Sequence, residues 1–477
     1  MRINIVMRYM GYVMLLNAAF MLVSAATSWY FGDTALYPLL LSGVLTGAMG
    51  AVPIMFVPGG EKISNKEGYC IVVGSWMMSC LVGMMPYLLW GGEFTLVNAW
   101  FESVSGYTTT GASILKNVEA VPKGLLFWRS ATHWMGGIGV VMFALVILPS
   151  IGKTKMTISS IEISNLAKDN YQYRSNVIMH ILLWVYVAMT VICTVLLKVA
   201  GMNWFDAVNH AFSAVATGGF STRNASVGVF DNGWVELILV FFMLLASIHF
   251  GVIFATITGK RNNMFRSEVV RYFLWSVLVC SLACAVSVWH DGLYDSFGKA
   301  LRVGLFQCVS LVTTTGFVTT NIFTWGSVAV MALLFMSIQG GCAGSTSGGL
   351  KADRVVLAFK VFKMRIKQQQ HPNAVLRIKL NGQLQESGVV DYAMQFVVAY
   401  ALMVAVGAVV FAMCGFSFDG AVSASVASLG NVGMEVCDFG GFSSAPGFVR
   451  FFSPVLMLFG RLEIFGFIQM FLLSTWK

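Results

Sequence analysis

Long apolar stretches separated by short polar ones dominate the chain. Runs of about 20 apolar residues, enough for a helix to cross a bilayer, lie near 10–30, 37–58, 70–91, 126–149, 176–197, 233–258, 270–289, 325–338 continuing through 350–368, 392–415 and 450–475. This pattern predicts ten membrane spans. Between some of them lie shorter semi-apolar segments that run into Gly and Thr. These segments are too short to span and too apolar for ordinary loops.

The short segments repeat, and an internal repeat governs the reading of a whole fold. In three copies Ser105, Ser213 and Ser310 are each followed six residues later by a glycine: Gly111, Gly219 and Gly316. A fourth copy, around Gly433, aligns only with a shift. Each copy follows one apolar run and precedes another, so the unit is helix, half-helix, Gly/Thr loop, helix. The predicted fold class is all-α integral membrane: four helix–pore-helix–filter-loop–helix repeats around a pseudo-fourfold axis plus an N-terminal two-helix hairpin. The expected boundaries are 1–66 for the hairpin, 67–152 for repeat 1, 153–260 for repeat 2, 261–370 for repeat 3 and 371–477 for repeat 4. Repeat 2 includes a stretch, 157–173, whose mixed charged and apolar residues predict an interfacial amphipathic helix.

Composition narrows the function classes. Only 11% of residues are charged and 57% are hydrophobic, against about 25% charged in soluble domains. A soluble enzyme, a disordered chain and a nucleic-acid-binding module are excluded. The net charge of +9 is read as topogenic. With the N-terminus in the cytoplasm, most Lys and Arg fall on the cytoplasmic side, including Arg2, Arg8, Lys62, Lys153 and the basic run 351–379, as the positive-inside rule requires. The nine cysteines are scattered without a CxxC and read as small core hydrophobes. No cleavable signal is evident.

The repeated loops carry the candidate chemistry. Non-helical backbone at membrane depth is tolerated only when buried in protein or lining a water-filled cavity. Four such loops around one axis can present a ring of carbonyls that replaces the hydration shell of a monovalent cation. Glycine allows the positive φ that turns carbonyls toward that axis, and the C-terminal dipole of each half-helix favours a cation. The expected ion-filter residues, and hence the cation site, are Thr109, Thr110 and Gly111; Thr217, Gly218 and Gly219; Thr314, Thr315 and Gly316; and Asn431, Val432 and Gly433. One Gly/Thr loop alone would be read as helix packing; four at matching places point to a filter.

A second element follows the third loop. The span that starts near Trp325 meets Gly340, Gly341, Cys342, Ala343, Gly344, Ser345, Thr346, Ser347, Gly348 and Gly349. Each glycine costs roughly 1 kcal/mol in a helix interior, so five should break the helix at membrane depth. The break is expected below the filter as a gate loop, with the helix resuming near Leu350 and carrying Lys351, Arg354, Lys360, Lys363 and Arg365 into the cytoplasm. Arg461 lies within the last span, where an arginine costs at least ~2.5–3.5 kcal/mol. It is expected to face the interior near the gate loop, with Glu463 on a different helix face. His133 and Trp134 read as packing residues and His210 as a cap or packing residue. Glu102 and Asp206 read equally well as attractors of cations and as partners of helix N-termini.

Together these motifs resemble the Trk/Ktr/HKT superfamily of potassium transporters, closest to its bacterial Trk channel-forming (TrkH-like) branch. The stretches that carry the likeness are Thr108-Thr109-Thr110-Gly111-Ala112-Ser113, His133 through Gly139, Ala216 through Thr222, Thr313 through Phe317, Gly340 through Gly349 and Gly460 through Ile464. The extra N-terminal hairpin favours the Trk branch. The resemblance implies permeation of K⁺ and Rb⁺, a homodimer in the bacterial cytoplasmic (inner) membrane, and a cytoplasmic nucleotide-binding regulatory subunit (TrkA-like). It implies no cofactor beyond the transported K⁺ and no enzymatic activity. Glycine in all four loops is similar to the K⁺-selective members. Loop four departs from the Gly-Pro-Gly of many Trk members: here Gly433 is followed by Met434 and Glu435.

Two other classes compete. An H⁺- or Na⁺-coupled K⁺ symporter would use carboxylates near broken helices, and Glu236, Asp391 and Glu463 are the few available. An intramembrane enzyme would need a nucleophile–base pair or a metal set, and no such constellation occurs.

Overall fold

The computed structural model describes residues 2–58, 65–147, 175–259, 263–374 and 376–464. The expected amphipathic helix at 157–173 lies outside the described residues. What is described is almost entirely helical. A two-residue ribbon, β1 (Lys379–Leu380) and β2 (Gln383–Leu384), pairs antiparallel across a turn at Asn381 and Gly382, whose φ values of 51° and 82° suit a tight hairpin turn.

The chain opens with α1 (Ile3–Phe31) and α2 (Leu36–Phe56), a long antiparallel pair. Helices α3 (Asn65–Gly83) and α4 (Met85–Trp90) lead to a short α5 (Leu96–Tyr107), then α6 (Lys123–Ile147). Next come α7 (Ser175–Val199), the short α8 (Trp204–Val215), and the pair α9 (Gly233–Ala246) and α10 (Phe250–Ile257). The third stretch holds α11 (Glu268–His290), α12 (Phe297–Val312), α13 (Ser327–Gln339) and α14 (Ala352–Gln370). The last holds α15 (Ser387–Met413), α16 (Phe418–Leu429) and α17 (Gly447–Arg461).

The four short helices α5, α8, α12 and α16 start in the same way. Thr95, Asn203, Ser296 and Ser417 each accept a hydrogen bond from the backbone N–H three residues on. Such a cap satisfies an orphan donor of the first turn and is worth about 1 kcal/mol.

Among the described residues six helices are long and apolar enough to cross a membrane, or seven if one bent pair counts as a span. Their outer faces expose apolar side chains, among them Leu40, Leu41 and Val44 on α2, Leu278 and Val279 on α11, and Leu402 and Val409 on α15. Water would penalise these faces and lipid does not. The chain is a multi-pass membrane protein.

Two runs differ from the continuous helices their hydropathy suggests. The run 233–258 bends by 104° between α9 and α10. The run 325–368 is interrupted at Gly340, as its glycines predict. The core has two main parts. One joins the hairpin, α3 to α6 and α17; the other joins α7 to α14.

Candidate ion pathway

The loops that follow the four short helices share one backbone conformation. Thr109, Thr217, Thr314 and Asn431 all take positive φ, between 52° and 56°. Two residues later Gly111, Gly219, Gly316 and Gly433 have φ from 74° to 83°. Positive φ is unfavourable for a β-branched residue, and strain of this kind costs roughly 1–3 kcal/mol per residue. The intervening Thr110, Gly218, Thr315 and Val432 keep negative φ. Alternation of this sort turns successive carbonyls to one side of the strand.

The fourth loop needs no shift. The N–H of Thr110 donates to Ser105 O, Gly218 N–H to Ser213 O, Thr315 N–H to Ser310 O and Val432 N–H to Ala427 O, all at 2.8–2.9 Å. Ala427 therefore stands where the other three copies have serine. The missing hydroxyl hid the register in the sequence; the backbone hydrogen bond reveals it.

The four loops meet. A Cβ on Gly111 would overlap Gly218 O, one on Gly219 would overlap Thr315 O, one on Gly316 would overlap Val432 O, and one on Gly433 would overlap Thr110 O. Each glycine thus abuts the carbonyl of the next loop, and the fourth returns to the first. These four contacts form a closed cycle, and they bring together all twelve filter candidates. The threonines, Asn431 and Val432 are buried, whereas the four glycines keep partial exposure.

Side chains behind the loops pin them. Ser105 Oγ donates to Ala112 O at 2.6 Å and Ser310 Oγ to Phe317 O at 2.7 Å. Glu102, fully buried, accepts from Arg129 Nε at 2.7 Å, from Ser113 Oγ and from Ile114 N–H. His210 Nε2 bonds Ser221 Oγ at 2.9 Å, and Gln307 Nε2 donates to Thr319 Oγ1 at 3.2 Å. Glu102, His210 and Gln307 occupy one position, three residues before the loop serine. Glu102 is thus buried and paired with Arg129, and it holds loop one from behind. Asp206 likewise accepts from Thr222 and Arg223. His133 stacks on Phe220 with centroids 4.1 Å apart and bonds Ser213 Oγ at 3.1 Å. It is a packing residue, as expected, and what it packs against is the second of the four repeated loops.

The loop between α13 and α14 sits at the inner ends of these short helices. Gly340, Gly344, Gly349 and Lys351 take φ of 68–78°. Gly348 N–H donates to Thr314 Oγ1 at 2.7 Å, and a Cβ on Gly348 would overlap Gly430 O. Thr346 Oγ1 reaches Val215 O and Ala246 O at 3.2 Å. Ser345 and Ser347 bond each other. Gly341 packs on Ser247, and Gly340 on Gly348 and Gly349. Arg461 is buried and donates to Thr346 O at 2.6 Å and to Gly136 O at 3.2 Å. Every predicted gate residue lies in this one cluster. Glu463 pairs instead with Arg354.

Sequence reading missed the break at 247–249. Cys342 N–H donates to Ser247 O at 2.9 Å, Thr346 N–H to Ala246 O at 3.3 Å, and Phe250 N–H to Gly344 O at 3.4 Å. The bent helix exposes the orphan groups of two helix ends, and the glycine loop uses them. Nδ1 of His249 caps α10 by accepting from Gly251 N–H at 2.9 Å. The available signal was Ser247, His249 and Gly251 inside an apolar run.

Residues 41–474 match the family model described as "TrkH: Cation transport protein". The Trk system potassium uptake proteins TrkH of Salmonella typhimurium and Escherichia coli K12 are 33% and 32% identical to the chain, over all of both sequences. The crystal structure of the potassium transporter TrkH from Vibrio parahaemolyticus superposes with a TM-score of 0.91 at 31% identity and covers all of both chains. Fold and relatives define a membrane transporter, not an enzyme. The chain belongs to the TrkH family of cation transport proteins.

Proposed function

We propose that the chain takes K⁺ up across the cytoplasmic membrane as the translocating subunit of a Trk-type system. The closed cycle of glycine–carbonyl contacts carries this reading. Four alternating-φ loops around one opening supply backbone oxygens at a spacing that side chains cannot hold as rigidly, and such a collar exchanges with an ion's water shell. The four similar loops support four repeats around a pseudo-fourfold axis, with the hairpin outside them and ten spans in all. The domain boundaries remain those drawn from the sequence.

The glycine loop acts as the gate. It closes the inner side of the filter through Gly348, Thr346 and Arg461, and α14 is the lever that draws it away. The lever's basic surface faces the cytoplasm, with the N-terminus on the same side. It suits control by a TrkA-like nucleotide-binding subunit acting on a homodimer. Coupled symport gains no support: Glu236 is bound to Arg302 at 2.7 Å, Glu463 to Arg354, and Asp391 is exposed.

The test is Rb⁺ flux into liposomes holding the purified chain, with the regulatory subunit and ATP or ADP, and with or without a pH gradient. Conduction predicts flux down the Rb⁺ gradient that is indifferent to the pH gradient. Flux that requires the pH gradient supports the symporter. Absence of Rb⁺ flux in every condition sinks both.

A further inference from the structure

The four short helices differ at their last residue. Two places after the loop serine, or after Ala427 in the fourth copy, stand Tyr107, Val215, Val312 and Leu429. All four are buried, and each lies two residues before the positive-φ residue that opens its loop. Three of them are apolar. Tyr107 alone carries a hydroxyl, and that hydroxyl reaches out of its own repeat.

Tyr107 Oη donates to Asn17 Oδ1 at 2.5 Å. Asn17 is buried at the middle of α1, the first helix of the N-terminal pair. A polar side chain at that depth in a long apolar helix is costly unless it is paired. Its Nδ2 donates to Val13 O and to Ser79 Oγ on α3, both at 3.0 Å. Val13 O can only accept, so the amide orientation is fixed and Oδ1 is the atom left for Tyr107. The rest of Tyr107 is confined as well. A Cβ on Gly83 would overlap its ring, and one on Gly136 would overlap its carbonyl oxygen. The tyrosine is wedged between the end of α3 and α6, and its hydroxyl ties it to α1.

On the filter reading above, we infer that Asn17 is a positioning residue for the first filter loop, and that it acts on K⁺/Na⁺ discrimination through Tyr107. Selection between alkali cations depends on the size and field of the carbonyl cage, and loop one forms one side of it. Slack at the Tyr107 side chain passes to Thr109 and Thr110, the next residues but one and two. The other three loops have Val or Leu at this place and no bond to α1. The N-terminal pair, which contributes no loop of its own, thereby braces one loop of the ring from outside.

The experiment measures Rb⁺ uptake, and its inhibition by Na⁺, in cells that depend on the full-length chain. Tyr107→Phe removes one oxygen and leaves Asn17 Oδ1 buried without its donor, a larger loss than the bond alone. The ratio of Na⁺ half-inhibition to Rb⁺ half-saturation should fall about fivefold. Asn17→Leu should lower it to a similar degree. The double variant should do no worse than either single change, because residues that act through one contact are not additive. Ser79→Ala loosens Asn17 from α3 but keeps its bond to Tyr107, so the ratio should stay within about a factor of two of the wild type. A merely structural role would reduce the amount of protein in the membrane and the uptake rate, and leave the ratio alone. An unchanged ratio in Tyr107→Phe, additive losses in the double variant, or an equal loss in Ser79→Ala overturns the inference while leaving the filter reading intact. Tyr107→Phe decides the matter where Asn17→Leu does not reach the membrane. A wild type without saturable Rb⁺ uptake defeats the filter reading and this inference with it.

Discussion

Two sets of glycine-bearing loops lie at membrane depth, and they are held differently. Each ring loop is pinned largely by its own repeat. Ser105 bonds Ala112 O, Glu102 bonds Ser113, and Ser310 bonds Phe317 O. The glycine loop at 340–349 has bonds of its own, such as Ser345 to Cys342 O and Ala343 N–H to Asp353, but it is also tied to distant segments through Val215 O, Ala246 O, Ser247 O, Thr314 Oγ1 and Arg461. Local bonds keep a shape whatever the neighbours do. Long-range bonds hold only while the neighbours stay in place, and they are lost together when one segment moves. Under the proposed function, this difference lets the ring persist while the glycine loop is released.

The largest test of this contrast is Gly219→Ala. The new Cβ overlaps Thr315 O, and the φ of 82° disfavours any side chain. Rb⁺ uptake should fall to background while gel filtration still shows a folded protein; near-normal uptake would break the claim that the ring is rigid. Next comes Arg461→Ala, which removes the bonds to Thr346 O and Gly136 O. Hydrogen bonds to a charged group are worth about 1.5–3 kcal/mol each. Rb⁺ flux without an activator should rise at least several-fold, and unchanged flux would count against a movable loop. His249→Ala is smaller. It removes the cap of α10 beside Gly344, a change of about 1 kcal/mol. Basal flux measured in the same liposomes should rise about fivefold at most. Ser310→Ala should do least: loop four already carries Ala427 at that place with the same φ pattern. Its K⁺/Na⁺ permeability ratio, read from competition of Na⁺ with Rb⁺ uptake, should stay within about a factor of two of the wild type, since a single hydrogen bond can be worth as little as about 0.5 kcal/mol net and the backbone bonds remain. A larger loss would mean that the serine, not the backbone, keeps the loop in shape.

Much of this was legible in the chain. The Gly and Thr positions of three loops, the helix break at Gly340 and the inward Arg461 followed from spacing, glycine content and the cost of a charge in hydrocarbon. Three features were not. Loop four hid its register because Ala427 lacks the hydroxyl that marks the others. The bend at 247–249 was invisible to hydropathy, which registers apolar length and not direction. Glu102 stayed undecided between cation attraction and a helix N-terminus because nothing in its own segment announces Arg129, 27 residues on.

The sequence alone determined the class of molecule. Few charges, long apolar runs and a recurring Gly/Thr unit leave little besides a membrane protein with paired half-helices, since hydrophobic length and backbone freedom are local properties written residue by residue. Only the tertiary structure decided which carbonyl meets which glycine, which bent helix supports the gate loop, and which carboxylate has a partner. Those are contacts between segments tens to hundreds of residues apart, and their geometry exists only once the helices have packed.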